Sequence, residues 1–408
     1  MSLAGQYLLQ PGSNPSIVGS RPVMGGARLG RLLHGQQGDS VVHMLGNVLT
    51  LCAHAQRRTA RMVLRAAEQQ EPASVTPEST FSLQLETARD HLRSMALDWP
   101  QRQSQSLQPV QLKWLGGCPF PLATPPRALT PDEVAAQQKQ LQAWLESAIL
   151  CRPIGGWAAE RSAQVEGGGR RPGDRQQSAL PPSLLAQWLA QYRDENAFAA
   201  WCKDNADRAT PLQCLVQWHA SATALQPGSH TLDVLDGNPD QQTANLRTIA
   251  MAMADDPDFA LRPQWHGACV ETGVWSRLRQ RKAAPGITSA WSRLQARWIE
   301  LLELISAPTA PAAALLSSGA LPLGDGQAIA WCEMARGLLL HWVQLDEQHR
   351  VQDYRVLAPT EWNFHPDGAL AQALTQLNPD DAAAAWCLTS AYDPCVDCSV
   401  NVQETPHA

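Results

Sequence analysis

Asp393-Pro394-Cys395-Val396-Asp397-Cys398 sets two thiols three residues apart. Thiols at that spacing meet on one side of a turn, and such a pair can chelate one soft metal ion. The same spacing also serves redox dithiols and one half of a zinc site. A zinc site wants a second Cys or His pair at close spacing, and the chain has no second Cys-x-x-Cys. A thioredoxin-type dithiol wants a βαβ frame around the motif. On the residues alone, metal chelation, redox chemistry and coincidence all stay open. A lone Cys52 lies far upstream, in Leu49-Thr50-Leu51-Cys52-Ala53-His54-Ala55. Taken by itself it reads as a buried helical cysteine.

The elements that must position these residues are mostly helical. From Met44 to Ala67, Leu51, Ala55, Met62, Val63 and Ala66 recur at helical spacing. A helical pattern runs around Leu83–Leu97, and Pro119–Pro126 reads as a loop. A further helix starts at Thr130, where a Thr cap, Pro131 and the acidic pair Asp132 and Glu133 suit the positive helix end. Residues 153–182, with Gly167-Gly168-Gly169-Arg170-Arg171-Pro172-Gly173, read as a mobile loop insertion. Helices are expected over Ser183–Cys202 and Ser289 to about Ile305, the latter with Trp291, Leu294, Trp298, Leu301, Leu302 and Ile305 on one face. Within residues 337–358, Gly337–Asp346 and Arg350–Ala358 flank a polar turn and predict a small β-hairpin. Helix returns from Pro366 to Tyr392. The fold class expected is α+β, predominantly α, in a single domain over 1–408.

Composition narrows the function. The 408 residues are 44% hydrophobic and 17% charged, which fits a folded chain and not a disordered one. A net charge of −6 offers no basic face to nucleic acid. No apolar run approaches the ~18 residues a membrane span needs, and the first twenty residues lack a signal-peptide pattern. The expected compartment is the cytoplasm, with neither membrane nor nucleic acid as partner. Thiols stay reduced there, so most of the ten cysteines are expected to be core residues, including Cys387 near the motif.

Five stretches in order resemble the [NiFe]-hydrogenase large-subunit family. The C-terminal stretch is similar to its Asp-Pro-Cys-x-x-Cys-x-x-His motif, and the segment around Cys52 to its Arg-x-Cys-x-x-Cys motif. Between them, Glu271-Thr272-Gly273-Val274-Trp275-Ser276-Arg277 resembles Glu-x-Gly-Pro-Leu-Ala-Arg. Glu333-Met334-Ala335-Arg336-Gly337 with His341-Trp342 resembles Glu-Ala-Pro-Arg-Gly-x-x-x-His-Trp. Ala358-Pro359-Thr360-Glu361-Trp362-Asn363 resembles Val-Pro-Thr-Thr-Trp-Asn. The matches span about residue 45 to 401. The resemblance implies a large-subunit-like fold. It also implies a site closed by residues 45–60 and 333–401 together, since Cys52 and Cys395 lie 395 − 52 = 343 positions apart.

In that family four thiolates hold nickel and iron, and the iron carries two cyanides and one carbon monoxide. By position, Cys52 and Cys398 match the thiols that bridge both metals, and Cys395 matches one thiol on nickel alone. Arg336, Pro359 and Thr360 match the residues lining the cyanides. For Arg336 the plainer reading is an ordinary salt bridge, to Glu333. Departures are selective. Leu49 stands where the other nickel thiolate belongs, and Asn47 where the motif has Arg. Gln56 replaces a His four residues after the second N-terminal Cys, with His54 two residues off. Asn401 replaces the last His of the C-terminal motif. The relay-glutamate stretch has only Arg31-Leu32-Leu33-His34-Gly35 in its place.

A site that keeps its iron ligands and loses its nickel ligand resembles the non-catalytic HupK/HoxV-type maturation proteins. That resemblance implies a scaffold or metallochaperone holding an Fe(CN)2CO fragment, with iron but not nickel, and no enzymatic turnover. The implied partners are the HypC–HypD assembly complex and the hydrogenase large-subunit precursor. The alternatives are a metal-free interaction protein or chaperone for the precursor, and a divergent hydrogenase-like oxidoreductase.

Overall fold

A computed structural model describes residues 5–20, 28–70, 77–103, 115–119, 130–148, 189, 191–228, 230–282, 288–306 and 315–402. The loop expected over 153–182 lies outside these residues. The chain opens on a hairpin of β1 (Gln6–Leu9) and β2 (Ile17–Ser20). Helices α1 (Arg28–Leu33), α2 (Asp39–Val48), α3 (Ala53–Ala67), α4 (Pro77–Arg93) and α5 (Trp99–Arg102) follow. Next come α6 (Pro131–Ala148), α7 (Glu195–Asp204), α8 (Thr210–Ala224), α9 (Pro239–Asp255), α10 (Val274–Lys282) and α11 (Ala290–Ser306). Strands β3 (Ser318–Gly324), β4 (Gln327–Met334), β5 (Gly337–Leu345) and β6 (Val351–Leu357) precede α12 (Pro359–Asn363), α13 (Ala369–Thr375), α14 (Ala382–Tyr392) and β7 (Asp397–Val400). The class is α+β with helix dominant. Among the described residues no helix is long and apolar enough to cross a membrane.

The predicted hairpin is β5 and β6, closed by Asp346, whose carboxylate accepts from the N–H groups of Gln348 and Arg350. It is half of a larger object: an antiparallel sheet in the order β3-β4-β5-β6. The sequence Ser-Gly-Ala-Leu-Pro-Leu-Gly of β3 has weak strand propensity, and pairing with β4 overrides it. Strand β5 is buried on both faces, because α3 packs over the sheet on one side and the sheet's other face meets α9 and α12. Gly337 opens β5 at φ 133°, a backbone that favours glycine, and a Cβ there would strike Thr272 at 2.6 Å.

Thr130 begins α6 as expected. Its hydroxyl accepts from the Glu133 N–H (3.4 Å), and the Glu133 carboxylate accepts from the Thr130 N–H (2.9 Å), a reciprocal cap. The expected helix at 289–305 is α11, but its apolar stripe is only part of what it buries. Arg293, Arg297 and Glu300, on its other faces, are all buried too. Each meets an opposite charge: Arg293 with Glu271 (2.8 Å), Arg297 with Asp393 (2.9 Å) and Glu300 with Arg277 (2.8 Å). Helix α4 packs against α11 and is buried all round from Thr80 to Leu92, so both helices form the centre of the molecule.

The two ends of the chain meet in a second sheet, ordered β2-β1-β7. Strand β1 pairs parallel with β7, placing Tyr7 opposite Cys398. The Asn401 N–H continues the ladder to the Leu9 carbonyl (2.9 Å).

Candidate metal centre

Cys52 ends a single 3-10 turn (Thr50–Cys52) and stands at the start of α3. The turn is held from α4. The Glu86 carboxylate accepts from the backbone N–H groups of His54 (2.7 Å) and Ala55 (2.9 Å), which have no partner inside the helix. Burial, and then Asp90 beside it, push Glu86 up to about 8. Leu49 is buried just before the turn, and Asn47 faces solvent.

Cys395 and Cys398 arrive from the other end. Asp393 stops α14 in the left-handed conformation, at φ 49°, and Pro394 bars any continuation of the helix. Cys395 then lies with its sulfur 3.1 Å from the Thr360 hydroxyl. Pro359, the first residue of α12, is buried beside it. The Cys398 thiol, on β7, donates to the Val396 carbonyl at 3.7 Å.

These thiols influence one another. Burial, followed by Cys395, pushes the Cys52 thiol up to about 12. Burial pushes Cys398 up to about 12 as well, against the pull of Arg102 and with Cys395 adding to the rise. Cys395 therefore acts on both of the other thiols. Among the described residues, no three Cys, His, Asp or Glu side chains lie together as a ligand set for a bare ion. An iron that brings its own diatomic ligands needs fewer protein donors.

Arg336 is 1% exposed, and its partners are not Glu333. Nη1 donates to Asp90 at 3.1 Å, and Nε lies 3.5 Å from Asp393. Glu333 instead accepts from the Ser317 N–H and lies 3.9 Å from Arg277. The Arg336 Nη2 has no hydrogen-bond partner among the described residues, although it is buried. Burial alone would lower the guanidinium pKa, but Asp393, Asp90, Cys395 and Cys52 raise it. A fixed cationic donor with a spare N–H beside two thiols suits an anionic diatomic ligand. The donor set fits iron carrying such ligands.

Asp393 is the hinge of this charge network. Ser94 donates to it at 2.6 Å and Arg297 at 2.9 Å. Burial would raise its carboxyl, but Arg297 and Arg336 hold it well below the usual carboxylate range. Neither Asp90 nor Glu86 was read as a site residue from the sequence. Their signal was there: two carboxylates at i and i+4 on a helix whose pattern otherwise implies burial.

Gln56 reads in the sequence as a lost histidine, yet it reaches Cys52. Its Nε2 donates to Cys52 Sγ at 3.5 Å, and its Oε1 lies 2.9 Å from His341 Nε2. His341 Nδ1 lies 2.7 Å from the Tyr354 hydroxyl. The His54 Nε2 is buried and has no hydrogen-bond partner among the described residues. Burial takes His341 down to about 3, so its ring is neutral in the folded protein. The unfolded chain takes up that proton as pH falls below ~6.5. The share of stability due to a neutral His341 is therefore complete above pH ~6.5 and is lost from there towards pH 3. His341→Asn, which cannot titrate, should remove about 1.4 kcal/mol per pH unit of this slope. Urea unfolding of both proteins at pH 7 and pH 5 measures it, and parallel profiles would contradict the assignment.

A cavity of about 300 Å³ reaches the C-terminal thiols, lined by Leu51, Arg93, Arg102, Trp386, Cys395 and Cys398 among others. Small ligands can approach the sulfurs by this route.

Residues 266–401 match the family model of nickel-dependent hydrogenases. The chain is 33% identical to the hydrogenase expression/formation protein HoxV of Cupriavidus necator, over 99% of this chain and 97% of that protein. It is 27% identical to the hydrogenase expression/formation protein HupK of Rhizobium leguminosarum bv. viciae, over 93% and 91% of the two chains. A chain in a crystal structure of NAD+-reducing [NiFe]-hydrogenase in the H2-reduced state aligns over 93% of this one and 90% of its own length, with a TM-score of 0.45 and 16% identity.

Proposed function

The chain belongs to the HoxV/HupK family of hydrogenase expression/formation proteins, and from that premise we propose that it is a non-catalytic scaffold in [NiFe]-hydrogenase maturation, holding an Fe(CN)2CO fragment as cargo. The observation that carries the reading is a buried Arg336 whose Nη2 has no hydrogen-bond partner among the described residues, with Cys52 and Cys395 both acting on its charge. Thiolates from Cys52 and the Cys395/Cys398 pair hold the iron. Arg336 donates to a cyanide, and the Thr360 hydroxyl, now against Cys395, turns to the other. Leu49 supplies no ligand where nickel would need one, so the cargo is iron alone. The fragment enters from a HypC–HypD complex and leaves to the precursor of a hydrogenase large subunit, and the whole exchange belongs to the cytoplasm.

The test is infrared spectroscopy of the anaerobically purified protein in the cyanide and carbonyl region, with metal analysis of the same sample. Cyanide and carbonyl bands with iron and without nickel are expected. Protein free of iron and bands that still binds a precursor large subunit would make it a metal-free interaction partner. Nickel with iron, and hydrogen-dependent dye reduction, would make it an oxidoreductase.

A further inference from the structure

The hydrogen bonds behind Cys52 have a direction, and it can be worked out from the far end. The Tyr354 hydroxyl is fully buried, and among the described residues its one hydrogen-bond partner is His341 Nδ1. A buried phenol proton needs an acceptor. His341 Nδ1 must then be bare, and in a neutral ring the proton sits on Nε2. Nε2–H points at the oxygen of Gln56, 2.9 Å away. The amide oxygen is thereby committed, and the NH2 group faces Cys52 Sγ. With the opposite polarity the Tyr354 proton would have no acceptor.

We propose that Tyr354, His341 and Gln56 form a one-way relay that presents a permanent, uncharged N–H donor to Cys52, making Gln56 a positioning residue that tempers how strongly this sulfur binds its metal. The purpose of the relay rests on the iron-carrier reading; its polarity does not. A donor hydrogen bond draws electron density from a thiolate and weakens its donation to iron. A carrier that must surrender its cargo gains from a ligand tempered in this way. The donor stays in place whatever the pH, because nothing in the amide titrates.

Two measurements test this on the full chain. In protein labelled with 15N-histidine, the His341 signals are identified by their loss in His341→Gln. The ring is expected to carry its proton on Nε2 with Nδ1 bare. A proton on Nδ1 would overturn the relay, with or without iron. In iron-loaded protein, Gln56→Leu should move the carbon monoxide band to lower frequency, because a freer thiolate pushes more density onto iron. Tyr354→Phe should move it the same way by less. Unchanged bands in both variants would overturn the tempering role. If the unaltered protein shows no such bands, the iron-carrier reading falls, and the histidine signals alone decide whether the one-way relay stands.

Discussion

Alanine at both Cys52 and Cys398 is expected to abolish iron loading while leaving the fold intact. The two residues sit on different ends of the chain, and neither sulfur makes a hydrogen bond on which the backbone depends. Cys52 is buried, but removing one sulfur atom costs about 1 kcal/mol of packing, which a chain of this size can absorb. Its turn is held by Glu86 through His54 and Ala55, not through the thiol. The double variant should therefore purify as a folded protein with an unshifted circular dichroism spectrum and near-zero iron per chain. Single variants sort the ligands: Cys395→Ala should lower retention if Cys395, which acts on the Cys52 thiol, shares in binding. If hydrogenase maturation in cells went on undiminished with the double variant, the protein would not be an iron carrier.

Asp393→Ala is expected to give the largest loss of stability. The carboxylate is 1% exposed and answers two buried guanidiniums, Arg297 at 2.9 Å and Arg336 at 3.5 Å. Removing one side of such a group leaves buried positive charge uncompensated, at a cost of about 3–5 kcal/mol. Asp393→Asn keeps the shape and an acceptor for Ser94, so the gap between the two variants separates lost charge from lost packing. Because the carboxyl is held below its ordinary range, its contribution is complete above pH ~4 and fades only as pH falls further. Denaturant midpoints at neutral pH should show both variants weakened. A loss under about 1 kcal/mol for the Ala variant would mean that the arginines find other partners.

How much of this could be read from residues alone varies with distance along the chain. The three cysteines, Arg336, Pro359 and Thr360 each sit inside a short motif, and a motif names its own residues. Helices α6 and α11 were also legible, because caps and apolar spacing are local signals. The partners of Arg336 were not. Asp90 lies 246 positions away, and its helix pattern marks it as buried without saying which cation it meets. The nearby Glu333 was the natural guess and was wrong, since it serves Ser317 and Arg277 instead. Gln56 was legible only as a departure. That it still bonds Cys52, with His341 behind it, depends on β5 passing under α3, which no periodicity reveals. Strand β3 was hidden for the opposite reason: its residues look like a loop until β4 pairs with them.

The parallel pairing of β1 with β7 bears on when the centre can exist. Gln6 and Asp397 are register partners 397 − 6 = 391 positions apart. At about 5–20 residues per second, a ribosome needs roughly 20 to 80 s to travel that far. Throughout that interval β1 has a bare edge, open to any other extended chain, and Cys52 has none of its companion thiols. Assembly of the site must therefore wait until the segment carrying Cys395 and Cys398 has been made. A cell that supplied iron to the nascent chain would be supplying it to a single cysteine.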